Sequence, residues 1–163
     1  MPAGVVAMML IRLIYFSRNR LDEWYDRKDA GIAEILATSV ANNLRDCITG
    51  ALICDERWFV QALEGAENKV SAAFERILRD QRHRDVSLVT MQAVSERRYP
   101  NAAMACVMRS QDNDDLFRHY GEDACFDPRQ VRPERLSDLI EAVVQRRATG
   151  EPAWTKKHAT NAA

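Results

Sequence analysis

The chain has 163 residues, 47% of them hydrophobic and 29% charged, with a formal net charge of −1, which fits one globular domain with an ordinary core. Near-neutral charge gives no basic footprint for nucleic acid and no polybasic patch for anionic lipid. The longest apolar run, residues 4–11, is too short to span a bilayer, and it has neither the basic start nor the small-residue end of a signal peptide.

Residues 1–8 read as a flexible leader, with Met8 and Met9 as alternative starts. Residues 9–16 (MLIRLIYF) are short, aliphatic and aromatic, and predict a strand. Residues 20–29 are polar around Trp24 and Tyr25, a loop or loose turn anchored by those rings. Ile32, Ile35, Leu36 and Val40 then recur at helical spacing. That helix is expected to end near Asn42 and Asn43, since asparagine tolerates the left-handed conformation of helix C-termini.

Residues 48–65 (ITGALICDERWFVQALEG) predict a hairpin, with strands over 51–54 and 58–63 and a turn at Asp55, Glu56 and Arg57. Val70, Ala73, Phe74, Ile77 and Leu78 mark a second amphipathic helix, with Glu75, Arg76, Arg79 and Asp80 on its solvated face. Residues 86–93 and 103–108 read as further strands, separated by a turn over 96–101. Residues 114–120 and 135–147 read as helices, and residues 151–163 as a disordered tail. The four cysteines, Cys47, Cys54, Cys106 and Cys125, show no C-x-x-C spacing and read as buried free thiols of a cytoplasmic protein.

The order strand, helix, strand, strand, helix, strand is the ferredoxin-like βαββαβ arrangement, an α+β fold, here with an added fifth strand. The first and third strands are apolar on both faces, so a second cover is required opposite the two helices. The C-terminal helices, within residues 109–150, are expected to supply it.

Three polar residues fall on inner surfaces: Tyr15, Gln61 and Asn43. A buried primary amide left unpaired costs about 1–3 kcal/mol, so Gln61 needs a partner. A Tyr15–Gln61 core pair that merely sets register satisfies this, and the residues alone favour it. The same phenol and amides also suit a pocket for a planar, heteroatom-rich ligand.

Five stretches in order, LIYFS with Tyr15, ANNLRDCITGALI, WFVQALEG, LRDQRHRDV and RRYPNAAM, resemble the BLUF domain, a blue-light sensor that uses a flavin. The resemblance spans roughly residues 10–108, most of the chain, and places the flavin-binding domain at 9–108. It implies FAD as cofactor, with FMN or riboflavin as alternatives. It further implies that Tyr15, Gln61 and Met104 are the photoactive residues, and that Asn43 and Asn42 meet the isoalloxazine edge and ring. Ile35 and Ile77 would sandwich the ring, and Asp80, Arg82 and His83 would approach the ribityl chain or phosphate. Where some relatives carry a tryptophan two residues before the methionine, this chain has Ala102, so either Ala102 or Met104 could lie nearest Gln61. The implied action is light-driven electron and proton transfer from Tyr15 with hydrogen-bond rearrangement of Gln61. Output is expected through a separate partner protein or self-association, without enzymatic activity. The competing readings are a small flavin-binding oxidoreductase and a non-photosensing ferredoxin-like interaction module.

Overall fold

The computed structural model describes residues 8–121 and 125–149; all but Met8 of the expected leader at 1–8, and the expected tail at 151–163, lie outside the described residues. The chain forms β1 (Leu10–Asn19), α1 (Leu21–Trp24), α2 (Lys28–Asp46), β2 (Thr49–Cys54), β3 (Trp58–Ala66), α3 (Glu67–Arg79), β4 (His83–Ala93), β5 (Ala105–Met108), α4 (Asp114–Gly121) and α5 (Pro133–Ala148). The five strands form one sheet in the order β4-β1-β3-β2-β5. Strands β4, β1, β3 and β2 have the antiparallel ferredoxin-like pairing, and β5 joins the β2 edge in parallel.

The sequence expectation of two apolar sheet faces holds. Ile11, Leu13, Tyr15, Phe59 and Leu63 face α2 and α3 in one buried cluster with Ile32, Ile35, Val70 and Ala73. Ile14, Trp58, Val60 and Ala62 point the other way, against Phe117 of α4 and Leu136, Leu139, Ile140 and Val143 of α5. Strand alternation puts neighbouring residues of β1 and β3 on opposite faces, and each face has its own helical cover.

Several local expectations are corrected. The first helix does not stop at Asn42 and Asn43 but runs to Asp46, and the left-handed residue is Cys47 (φ 55°). Its cap bonds are made instead by the Cys47 amide to the Asn43 and Leu44 carbonyls, so Asn43 remains helical and its side chain is free for other use. Cys47 and Cys125 are exposed, whereas Cys54 and Cys106 are buried. Of the two aromatic residues expected to anchor the 20–29 segment, Tyr25 does so and Trp24 is exposed. Tyr25 packs on the α2 cluster and its hydroxyl donates to Glu34 at 2.8 Å. Leu78, expected on the buried stripe of α3, is exposed. Close approach explains one glycine: a Cβ at Gly50 would lie 2.1 Å from the Ala62 carbonyl oxygen across the hairpin. Among the described residues, no helix is long and apolar enough to cross a membrane.

Candidate functional site

The β1–β3 pairing sets Tyr15 directly opposite Gln61. Both side chains lie on the face covered by α2 and α3, and the Tyr15 hydroxyl, fully buried, donates to Gln61 Oε1. The other end of the amide is held more loosely: Gln61 Nε2 donates to Met104 Sδ at 3.4 Å. A thioether is a weak acceptor, so the two Nε2 protons have no strong partner on that side. Met104 is buried next to Gln61, while Ala102 packs against the opposite-face cluster. These contacts place Met104, and not Ala102, beside the amide.

Above Gln61, α2 and α3 part to leave a cleft of about 550 Å³, including the space open to solvent. Of the residues singled out from the sequence, Ile35, Asn42, Asn43, Gln61, Ile77, Asp80, Arg82 and His83 line it. Tyr15 and Met104 lie one layer below, joined to the cleft through Gln61. Asn43 is buried, and its Nδ2 donates to the Ala103 carbonyl at 2.8 Å, tying the end of α2 to the segment that leads into β5.

Thr38, Ser39, Leu63, Ala73 and Arg76 also line the cleft. Arg76 was expected on the solvated face of its helix. It lies instead where α3 opens toward α2, with its guanidinium 3.2 Å from Asp46. Helical periodicity identifies a buried stripe but cannot show that two helices splay apart beside it, so no pattern in the sequence marked Arg76. Asp46 is also approached by Arg45 and Lys69. The Arg45 guanidinium, working against burial and joined by Arg76 and Lys69, holds the Asp46 carboxyl down to about 2. At the other end, Arg82 pairs with Asp80 at 2.7 Å and with Glu34 of α2 at 3.6 Å. Burial opposes ionisation of Asp80, but Arg82 more than offsets it and holds the carboxyl below its ordinary range. Ion pairs therefore bridge α2 to the α3 side at both ends of the cleft.

His83 stacks on Phe59 with ring centroids 4.8 Å apart, and its Nδ1 lies 2.8 Å from Ser17 Oγ. Burial pushes its pKa down to about 4, against the upward pull of Asp80. A base with a depressed folded pKa binds fewer protons in the native state than in the unfolded state between that value and its ordinary ~6.5. The stabilising effect is thus complete above about pH 6.5 and is lost as pH falls toward 4. The shift corresponds to at most roughly 3 kcal/mol, and half-burial reduces the expectation to about 1–2 kcal/mol. Urea unfolding of the flavin-free chain at pH 7 and pH 4.5 checks this. His83→Gln should lose less stability on acidification than the wild type by that margin, and equal losses would rule the effect out.

Residues 10–105 match the family described as BLUF, "Sensors of blue-light using FAD". The chain belongs to the BLUF family. As a BLUF chain it is a blue-light sensor domain that uses FAD. Among curated relatives, this BLUF chain is 30% identical over 111 residues to the blue light- and temperature-regulated antirepressor BluF of Escherichia coli (strain K12), covering 68% of this chain and 27% of that protein. It is 39% identical over 70 residues to the photoactivated adenylate cyclase subunit beta of Euglena gracilis, covering 43% of this chain and 8% of the relative. The match thus spans under a third of either relative. Among solved structures, photo-activated BlsA superposes with a TM-score of 0.75 at 26% identity, covering 83% of this chain and 95% of that one. The dark state of BlrB, a BLUF protein, gives 0.68 at 28% identity, covering 82% and 96%.

The BLUF cleft suits FAD on its own chemistry. Ile35 and Ile77 offer apolar walls from opposite helices, and Asn42, Asn43 and Gln61 offer amides that both donate and accept. Arg76 and Arg82 supply cations for a phosphate-bearing chain. An isoalloxazine carries both apolar faces and an edge of alternating donors and acceptors, which is the pairing this cleft provides.

Proposed function

We propose that Gln61 is the light switch of this photoreceptor, with Tyr15 as the electron and proton donor and Met104 as the residue that senses the amide's orientation. The observation that carries the reading is the asymmetric holding of one buried amide. Its oxygen takes a hydrogen bond from Tyr15, while its nitrogen faces only a thioether.

Bound FAD, once excited by blue light, supplies an oxidant able to take an electron and a proton from a nearby phenol. Tyr15 is poised to give them. Burial first, with Cys54 and Asp80 adding to it, raises its pKa well above the ordinary tyrosine value. The side chain is therefore a neutral donor, whose proton can leave only along its bond to Gln61 Oε1. The loss would be transient, with electron and proton returning to Tyr15, and while the proton is away the donor that fixes the amide is gone. A primary amide then restores its bonding by exchanging ends or tautomerising, since it presents an acceptor on one side and donors on the other. The exchange costs little at Met104, where only a weak bond to sulfur is given up. In the exchanged state Gln61 donates where it did not donate before, toward the cleft. Asn43, Asn42, Ile35 and Ile77 hold the cofactor, and Asp80, Arg82 and His83 line the end that takes its ribityl and phosphate chain.

The change must reach a partner through contacts that differ between the two states. Residues 9–108 are read as the flavin-binding unit and 109–150 as the helical cap that carries output. The strands β3 and β5 connect Gln61 and Met104 to α5, whose outer surface is the proposed docking face for a separate protein or a second copy. The E. coli relative is named as an antirepressor and the Euglena one as a cyclase subunit, so output attached to or contacted by such a domain has precedent. In this reading the chain itself is a non-enzymatic, cytoplasmic sensor.

The deciding experiment is an absorption spectrum of the FAD-loaded protein before and after blue light. A red shift of the flavin band that reverts in the dark is expected. Permanent bleaching with turnover of an electron donor would establish an oxidoreductase instead, and a colourless protein that refuses FAD would leave only an interaction module.

A further inference from the structure

Glu64 is the fully buried carboxylate of the sheet, on the face opposite Gln61. Burying a carboxylate costs several kcal/mol unless its oxygens are fully answered, and here the answer comes from far away in sequence. Oε1 accepts from Arg12 Nε at 2.7 Å and from the Arg98 amide at 2.8 Å. Oε2 accepts from the Tyr99 amide at 3.0 Å and from Thr49 Oγ1 at 3.4 Å. Arg97 adds a second clasp, donating to the Glu64 carbonyl at 2.8 Å, to Thr49 Oγ1 at 2.9 Å and to the Cys47 carbonyl at 2.8 Å.

These bonds fasten residues 97–99 to β3 and to the junction of α2 and β2. Within a few residues the same segment crosses the β2 edge to the flavin side, guided by the Gly50 amide donating to the Ala102 carbonyl at 3.1 Å. There it presents the Ala103 carbonyl to Asn43 and the Met104 sulfur to Gln61.

We propose that Glu64, with Arg97, is a positioning residue of the switch: it sets where Ala103 and Met104 stand against Asn43 and Gln61. This rests on the photoreceptor reading, since it concerns the wall against which Gln61 exchanges its ends. A fixed wall holds the Met104 sulfur and the Ala103 carbonyl at set positions against the exchanging amide, and a loosened wall lowers the barrier to return. Arg98 separates this role from output. Its backbone amide belongs to the clasp, but its side chain reaches away, to Ser137 Oγ at 2.8 Å and Glu141 at 3.5 Å, both on α5.

The test compares wild type, Glu64→Gln, Arg97→Ala and Arg98→Ala as full chains. Two readouts are used: the Met104 methyl resonance of the flavin-free protein, and the dark recovery of the FAD-loaded protein after illumination. Glu64→Gln and Arg97→Ala should move or broaden the Met104 resonance and speed recovery by roughly tenfold, while Arg98→Ala leaves both as in wild type. If Glu64→Gln lowers the melting temperature but leaves the resonance and the recovery unchanged, the carboxylate is structural only and the proposal is overturned. Should Glu64→Gln fail to fold, Arg97→Ala, a half-buried loop side chain, decides by the same two readouts. A wild type that shows no reversible shift removes the photoreceptor reading itself, and the proposal with it. That outcome is recognised before any variant is compared.

Discussion

Gln61→Leu should retain FAD and lose the reversible red shift altogether. Leucine matches the apolar surroundings of Leu52, Phe59 and Leu63 and keeps much of the side-chain volume, so the cleft persists. What disappears is the group that hydrogen-bonds both Tyr15 and Met104 and also lines the cleft. The Tyr15 hydroxyl is left without its acceptor in a fully buried position, which costs about 1–3 kcal/mol and should appear as a lowered unfolding midpoint. Tyr15→Phe is the complementary change. It removes the proton donor and keeps the ring that packs 5.4 Å from Phe74. It too should abolish the shift. Absorption difference spectra of the two variants under blue light check this. A full-sized red shift in Gln61→Leu would remove the amide from the mechanism.

Phe117→Ala should destabilise the entire fold by about 3–5 kcal/mol, not just the C-terminal helices. Phe117 is completely buried between α4 and the outer sheet face, with Phe126 edge-on at 5.3 Å and Arg109 over its ring at 5.2 Å. Truncation leaves a void beside Trp58, Val60 and Val143, which belong to the same cluster. Because Trp58 and Gln61 sit on the two faces of one strand, a loss on the outer face is felt by the strand that forms the cleft floor. Urea unfolding followed by far-ultraviolet circular dichroism should show one transition at a lower midpoint. A new early transition with the main one unchanged would instead make the helices a separable cap. The outcome bears directly on signalling, since a cap that folds with the sheet is coupled to it energetically.

Much of this was legible in the sequence because the governing patterns are short-ranged. Alternation along residues 58–63 told which side chains of β3 share a face, and helical spacing from Ile32 onward told which side of α2 is buried. The ferredoxin-like order followed from the succession of such elements, and the double apolar surface of β1 and β3 required a second helical layer. The odd amide at Gln61 stood out against its neighbours, and Tyr15 was reachable as its partner because β1 and β3 are adjacent in that topology. Helix ends were less legible. Asn42 and Asn43 look like a stop signal, yet an exposed cysteine ends the helix in the left-handed conformation, since the αL penalty of about 1–2 kcal/mol is small beside the packing of an additional helical turn.

The sequence by itself determined the layer order, the two buried faces and the pairing of a phenol with an amide, all of which rest on periodicity and strand adjacency. Only the tertiary structure decided that Arg76 borders the cleft, that Met104 and not Ala102 stands beside Gln61, and that Glu64 holds the segment between them. Each of these depends on contacts between residues tens of positions apart, bringing together helix splay, the turn of the chain around a sheet edge and a carboxylate satisfied by distant backbone amides. Local pattern carries no information about such distances, because a charged side chain at a given helical or strand position reads as solvated until a second element closes over it.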